Sequence, residues 1–138
     1  MNTFENFRSS ILRFCVDFAA DNSLQVINWD AHADSQGELP KADLIGPAMF
    51  ELQEDEGTFS VTGMIGISTV NDENLFRLTN YVGKVFELLR PGRRVTKYDA
   101  LNGAELGVMT AENGTKVLPV LKTDLRPMQF IAFALASG

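Results

Sequence analysis

The nine residues from Met128 to Ala136 read Met-Gln-Phe-Ile-Ala-Phe-Ala-Leu-Ala, and they restrict the fold more than any other stretch of the chain. Ile131, Phe133 and Leu135 alternate with Met128, Phe130 and Ala132, so a strand here carries apolar groups on both faces. Such a strand has no side to give to water and belongs at the centre of a sheet, covered from both directions. Pro127, just before it, marks its start. Helices can cover one face; the other needs a second subunit or a sheet that curls back on itself.

The rest of the chain can provide that cover. Its 138 residues are 45% hydrophobic and 22% charged, values that fit one folded domain over residues 1–138 and exclude a disordered or collagen-like chain. A stripe of Phe4, Phe7, Ile11, Phe14 and Phe18, widened by Leu12, Cys15 and Val16, predicts a helix from Phe4 to Ala20 with Thr3 as its cap. Leu75, Leu78, Val82, Val85, Phe86 and Leu89 predict a second helix from Asp72 to Leu89, capped by Asn71 or Asp72 and ended by Arg90-Pro91-Gly92. Between them, Phe59 to Thr69 alternates with a period of two and reads as a half-buried strand. Shorter strands are expected at Leu24 to Trp29 and at Met49 to Gln53, the latter pairing with Phe59 to Thr69 across the acidic turn Glu54-Asp55-Glu56-Gly57. Asn113-Gly114 predicts a hairpin with arms Glu105 to Thr110 and Thr115 to Thr123, the second arm placed at an edge or bulged by Pro119. The expected fold is therefore α+β: two helices packed on one face of a largely antiparallel β-sheet, in the order α-β(several)-α-β-β-β.

Two segments lack periodicity and are expected to be long loops, residues 30–48 and residues 90–103. Loops of this length are uncommon unless they bind something or become ordered on assembly. They also carry the clearest charge features. Residues 1–56 hold eleven acids against three Lys or Arg, whereas residues 57–138 hold seven acids against nine. The net charge of -6 disfavours non-specific adhesion to nucleic acid or to an acidic membrane over the whole surface. Arg90, Arg93, Arg94 and Lys97, beside Tyr98, form the best localised basic group. It suits a solvated face, a protein interface or phosphate contacts, but lacks an RNA-binding aromatic pattern.

Catalytic and metal-binding motifs are sparse. His32 is the sole histidine and Cys15 the sole cysteine, on different kinds of element, which argues against structural zinc and against a disulfide scaffold. His32 near Asp30 and Asp34 could hold a hard cation or act as an acid/base pair, although an exposed polar loop is the plainer reading. Cys15 lies in the apolar stripe, where burial keeps it a thiol. No calcium loop, P-loop or dinucleotide fingerprint is present, and Gly63 and Gly66 are better explained by close approach of another backbone or by a local bend. No cofactor, metal or enzymatic activity is expected. With no apolar run near the ~18 residues of a membrane span and no signal-peptide pattern, the chain is expected to be soluble and unexported.

Across residues 4–136, the element order resembles the tail-terminator family of long-tailed bacteriophages. The shared features are the N-terminal helix, the long excursion before a strand pair, the strand Phe59 to Thr69, the acidic-capped helix and the apolar C-terminal strand. Related neck and head-completion proteins share this impression, and no short diagnostic motif accompanies it. The resemblance implies a homo-hexameric ring at the head-proximal end of the virion tail, assembled in the host cytoplasm. Such a ring stacks on the tail tube protein, stops its polymerisation and presents a surface to a head-side connector or stopper. DNA passes through the lumen without sequence-specific binding. The family supplies no catalytic residues. From charge and loop placement, the candidate interface residues are Asp30, Asp34, Glu38, Asp43, Arg90, Arg93, Arg94 and Lys97. Another neck or tail-tube component, or a small ligand-binding or enzymatic domain, is the alternative reading.

Overall fold

The first helix, α1 (Thr3–Asn22), buries Phe7, Ile11, Cys15 and Phe18 along one stripe. It runs two residues past Ala20 because its end is well capped: Ser23 takes a left-handed conformation (φ 61°) and the Leu24 amide reaches back to the Ala19 carbonyl at 3.0 Å. The structure is a computed structural model that describes residues 3–35, 39–123 and 126–137. The elements after α1 are β1 (Gln25–Val26), α2 (Trp29–Ser35), β2 (Leu44–Asp55), β3 (Thr58–Ser68) and α3 (Phe76–Leu88). They are followed by β4 (Arg94–Tyr98), β5 (Glu105–Ala111), β6 (Lys116–Val117), β7 (Leu121–Thr123) and β8 (Arg126–Ser137).

The strands join in one sheet, β1-β2-β3-β8-β5-β4, with β6 and β7 also paired to β8. Every pairing is antiparallel except β1 with β2. The fold is thus α+β, with helices packed against a curled, mostly antiparallel sheet. The curl is visible in α1, which touches both β2 and β4, near the two ends of the strand order.

As its apolar run requires, β8 is central, flanked by β3 on one side and by β5, β6 and β7 on the other. Ile131, Phe133 and Leu135 meet α1 and α3 in the main core with Ile65, Ile67, Leu78 and Val85. On the alternate face, Met128 and Phe130 join Trp29, Leu39, Leu44 and Ala48 in a smaller cluster. Further along this face come only Ala132, Ala134 and Ala136, all half-buried. Two covers therefore serve one strand, the helices in front and the α2 region behind its first half.

Aromatic rings packed onto the strand, rather than another backbone, explain Gly63 and Gly66. A Cβ on Gly66 would sit 2.5 Å from the Phe130 ring and 2.7 Å from Trp29 Nε1, which itself donates to the Gly66 carbonyl at 3.0 Å. On the other face, a Cβ on Gly63 would meet Phe133 and Phe50 at 3.0 Å.

Several sequence expectations need correction. The strand expected at Leu24 to Trp29 shrinks to β1, because Trp29 opens α2 and turns its indole under the sheet. Residues 30–48 are not a continuous loop: α2 extends to Ser35 and β2 starts at Leu44, so Met49 to Gln53 is only the middle of a longer strand. The second helix begins at Phe76, since Asn71 and Leu75 are left-handed (φ 52° and 58°) and break the turn after Asp72. Residues 90–103 contain β4, whose partner is β5. The hairpin around Asn113-Gly114 does not form. Ala111 pairs with Leu135, and Lys116 with Ala132, so both arms lie antiparallel to β8 and residues 112–115 bulge out of one interrupted strand. A long central strand outcompetes the local turn signal by giving each arm a ladder.

Candidate functional site

Of the acidic residues singled out in the sequence, Asp30 and Asp43 are engaged in holding the backbone. Asp30, in the first turn of α2, accepts the Met49 N–H with both carboxylate oxygens, at 3.1 and 3.3 Å. Met49 is left-handed (φ 58°) and lies where the β2–β3 register shifts, so Asp30 secures a β-bulge. Asp43 accepts the Val70 N–H at 3.0 Å, pairs with Arg77 Nε at 3.0 Å and receives the Tyr81 hydroxyl at 3.4 Å. Its hydrogen bond holds the Arg77 guanidinium above its ordinary pKa, while burial and then Asp43 push the Tyr81 phenol up. The side chain of Asp34 and all of Glu38 lie outside the described residues. Among the described residues, no three His, Cys, Asp or Glu converge as metal ligands.

Other perturbed groups do the same structural work. Burial alone would raise the Asp72 carboxyl, but the amides of Leu78 (2.9 Å) and Arg77 (3.2 Å) and the Thr69 hydroxyl (2.9 Å) bring it below its ordinary value. Those two amides belong to the first turn of α3, so Asp72 caps the helix from outside it. Asp99 is lowered by the Leu101 and Asn102 amides, which it ties into the β4–β5 turn. Burial pushes the Cys15 thiol up to about 12, far from a nucleophilic thiolate. Arg126 is buried and donates to the carbonyls of Pro40 and Ser68 at 2.7 and 3.3 Å, clamping the segment before β2 to the start of β8. It borders an open groove of about 850 Å³ that also contains Lys41, Asp72 and Lys122.

The basic group, by contrast, is gathered, and its three arginines are exposed. Pro91 and Gly92 (φ 89°) turn the chain from α3 into β4, the last strand of the sheet. Arg93 and Arg94 are exposed and make no ion pair among the described residues. Arg90 reaches Glu87 at 3.1 Å in an exposed pair. Lys97 is half-buried, donating to Ser137 Oγ at 2.9 Å with its Nζ 5.8 Å from the Phe7 ring centroid. The cluster therefore marks one margin of the sheet, with its two central arginines free to meet a partner.

The opposite margin carries what sequence reasoning missed. Beyond Ile45, β2 has no strand on its outer side among the described residues, and Glu51, Glu54, Asp55 and Glu56 are exposed along it and at the β2–β3 turn. Their sequence signal, four acids in six residues, resembles an ordinary solvated turn; its meaning depends on which strand lies at the far margin. Pairing fixes the relative height of the two margins. Gln53, Ser60, Ala136, Thr110 and Arg94 form one row across the sheet. Because β2 and β4 run in the same direction, Asp55 and Lys97 lie towards the same end.

No model of a known protein family matches the chain, and no curated protein matches its sequence.

Proposed function

We propose that this chain is a structural assembly protein that closes into a ring, in the manner of a tail terminator that caps a tail tube and offers a joining surface towards the head. The observation that carries this reading is the chemical difference between the two margins of the sheet, one acidic and the other basic. A surface complementary to a different surface of the same molecule favours head-to-tail contact, which closes into a ring when the rotation between neighbours allows it. The resemblance in element order supplies the tail setting: a tail tube protein below, a head-side connector or stopper above, and a lumen that admits DNA. The engaged carboxylates and the buried thiol fit this reading better than a catalytic one, since each serves the backbone or the core.

Absolute mass by light scattering after size exclusion, over several concentrations, tests it. A species near six times the 15.2 kDa chain mass is expected, and its image in the electron microscope should be a closed ring. A strict monomer at every concentration overturns the reading.

A further inference from the structure

Resting on that assembly reading, we infer that the contact between neighbouring copies is made by the acidic margin of one, Glu51 with Glu54, Asp55 and Glu56, against Arg93 and Arg94 of the next. Of the acids of residues 30–43 that composition suggested, the two whose side chains are described are already engaged within the chain. Asp30 is bound to the Met49 amide, and Asp43 to Arg77, Tyr81 and the Val70 amide. The hairpin acids Glu54, Asp55 and Glu56 make no ion pair within the described chain, and neither do Arg93 and Arg94.

Three features select a second copy as the occupant. Firstly, sheet margins are commonly protected from pairing by charge, but protection needs like charges to meet. Here two acidic margins repel and two basic margins repel, whereas an acidic and a basic margin attract, so only the head-to-tail arrangement is favoured. Secondly, the row Gln53-Ser60-Ala136-Thr110-Arg94 puts the opposed charges at one height. A ring built by rotation about an axis along the strands needs its two contact surfaces level with each other, and a screw displacement would instead generate a filament. Thirdly, the basic margin retains room for a visitor. Asn6 and Ser10 of α1 accept the amides of Ala100 and Tyr98, yet a groove of about 180 Å³ runs along β4, lined by Ser10, Phe14, Asp17, Leu88, Arg94 and Tyr98.

The test reverses exposed charges only. Glu54→Lys with Asp55→Lys in one variant, and Arg93→Glu with Arg94→Glu in another, should each shift the concentration for assembly upward by about ten-fold or more, read by light scattering. The variant carrying all four changes keeps the wild-type net charge and should recover the ring, because both margins are reversed together. Thermal melts are run on every variant, so that loss of assembly is compared among equally folded proteins. Rings that persist in either two-residue variant, or a four-residue variant that melts normally yet stays dissociated, overturn this contact while leaving the ring itself standing. A monomeric wild type instead overturns the assembly reading on which the contact rests.

Discussion

Cys15 and Asp72 illustrate how single residues in this chain are tuned by what surrounds them. Burial in α1 removes the Cys15 thiolate from water, so its folded-state value of about 12 lies above the unfolded one near 9.0. A group raised in this way contributes fully below its unfolded pKa and loses its contribution as pH rises. Stability attributable to Cys15 should therefore be flat below about pH 9 and decline from there towards 12, as read by urea unfolding across that range. Thiol reagents at neutral pH should label it only at the rate of opening. Asp72 behaves in the opposite sense. Its folded pKa is lowered below 3.8, so its contribution is present above that value and is lost as pH falls through the lowered one. Asp72→Ala should cost about 1 kcal/mol in chemical denaturation by freeing two first-turn amides of α3, and should flatten the acid limb of the stability profile.

Among the elements, α2 is bound to β3 and β8 through a narrow contact. Trp29 Nε1 reaches the Gly66 carbonyl, and its ring meets Phe130 edge-on with centroids 6.3 Å apart. Any side chain on Gly66 must displace one of the two rings. Gly66→Ala is expected to cost roughly 1–3 kcal/mol and to shift the emission of this single tryptophan towards that of a wetter indole. A variant with unchanged emission and stability would show that the two rings yield freely. Elements with strong periodicity were legible beforehand: the α1 stripe, the alternation of β3 and the two-faced run of β8. Elements made by pairing alone were not. Arg94-Val95-Thr96-Lys97-Tyr98 becomes a strand because β5 offers it a ladder, and β6 and β7 hold only through β8. Asn113-Gly114 gave a genuine local signal, yet β8 is long enough to pair on both sides of it.

At the scale of the whole molecule, the net charge of -6 hides a separation that the sheet makes spatial. An assembly held by exposed carboxylates and guanidinium groups is screened by salt, with a Debye length of ~10 Å at 0.1 M and ~3 Å at 1 M. The concentration for ring formation should consequently rise with ionic strength in the wild type and in the four-residue charge-swapped variant alike. Assembly insensitive to salt from 0.1 to 1 M would point to an apolar interface, for which the half-buried Ala132, Ala134 and Ala136 face is the candidate. The basic half of the site was legible as a charge cluster between two elements. Its acidic complement was not, because nearness in sequence to other acids favoured residues 30–43, whereas hydrogen bonding to Met49, Val70 and Arg77 engages the two of them whose side chains are described.

By itself, the sequence determined the α+β class, the stripes by which α1 and α3 enter the core, and the central place of β8. Each follows from a local rule: side chains repeat at 3.6 or 2 residues, and an apolar run must be covered. Only the tertiary structure decided which strands flank β8, where the bulges fall, which acids are held by backbone amides and which remain outward. Those outcomes depend on strand pairing between residues far apart in the chain, such as Arg94 opposite Thr110 and Ser60 opposite Ala136, and no periodicity along the chain encodes such partners. The opposed charged margins are a product of that pairing, since β2 and β4 become margins only when β3, β8 and β5 lie between them.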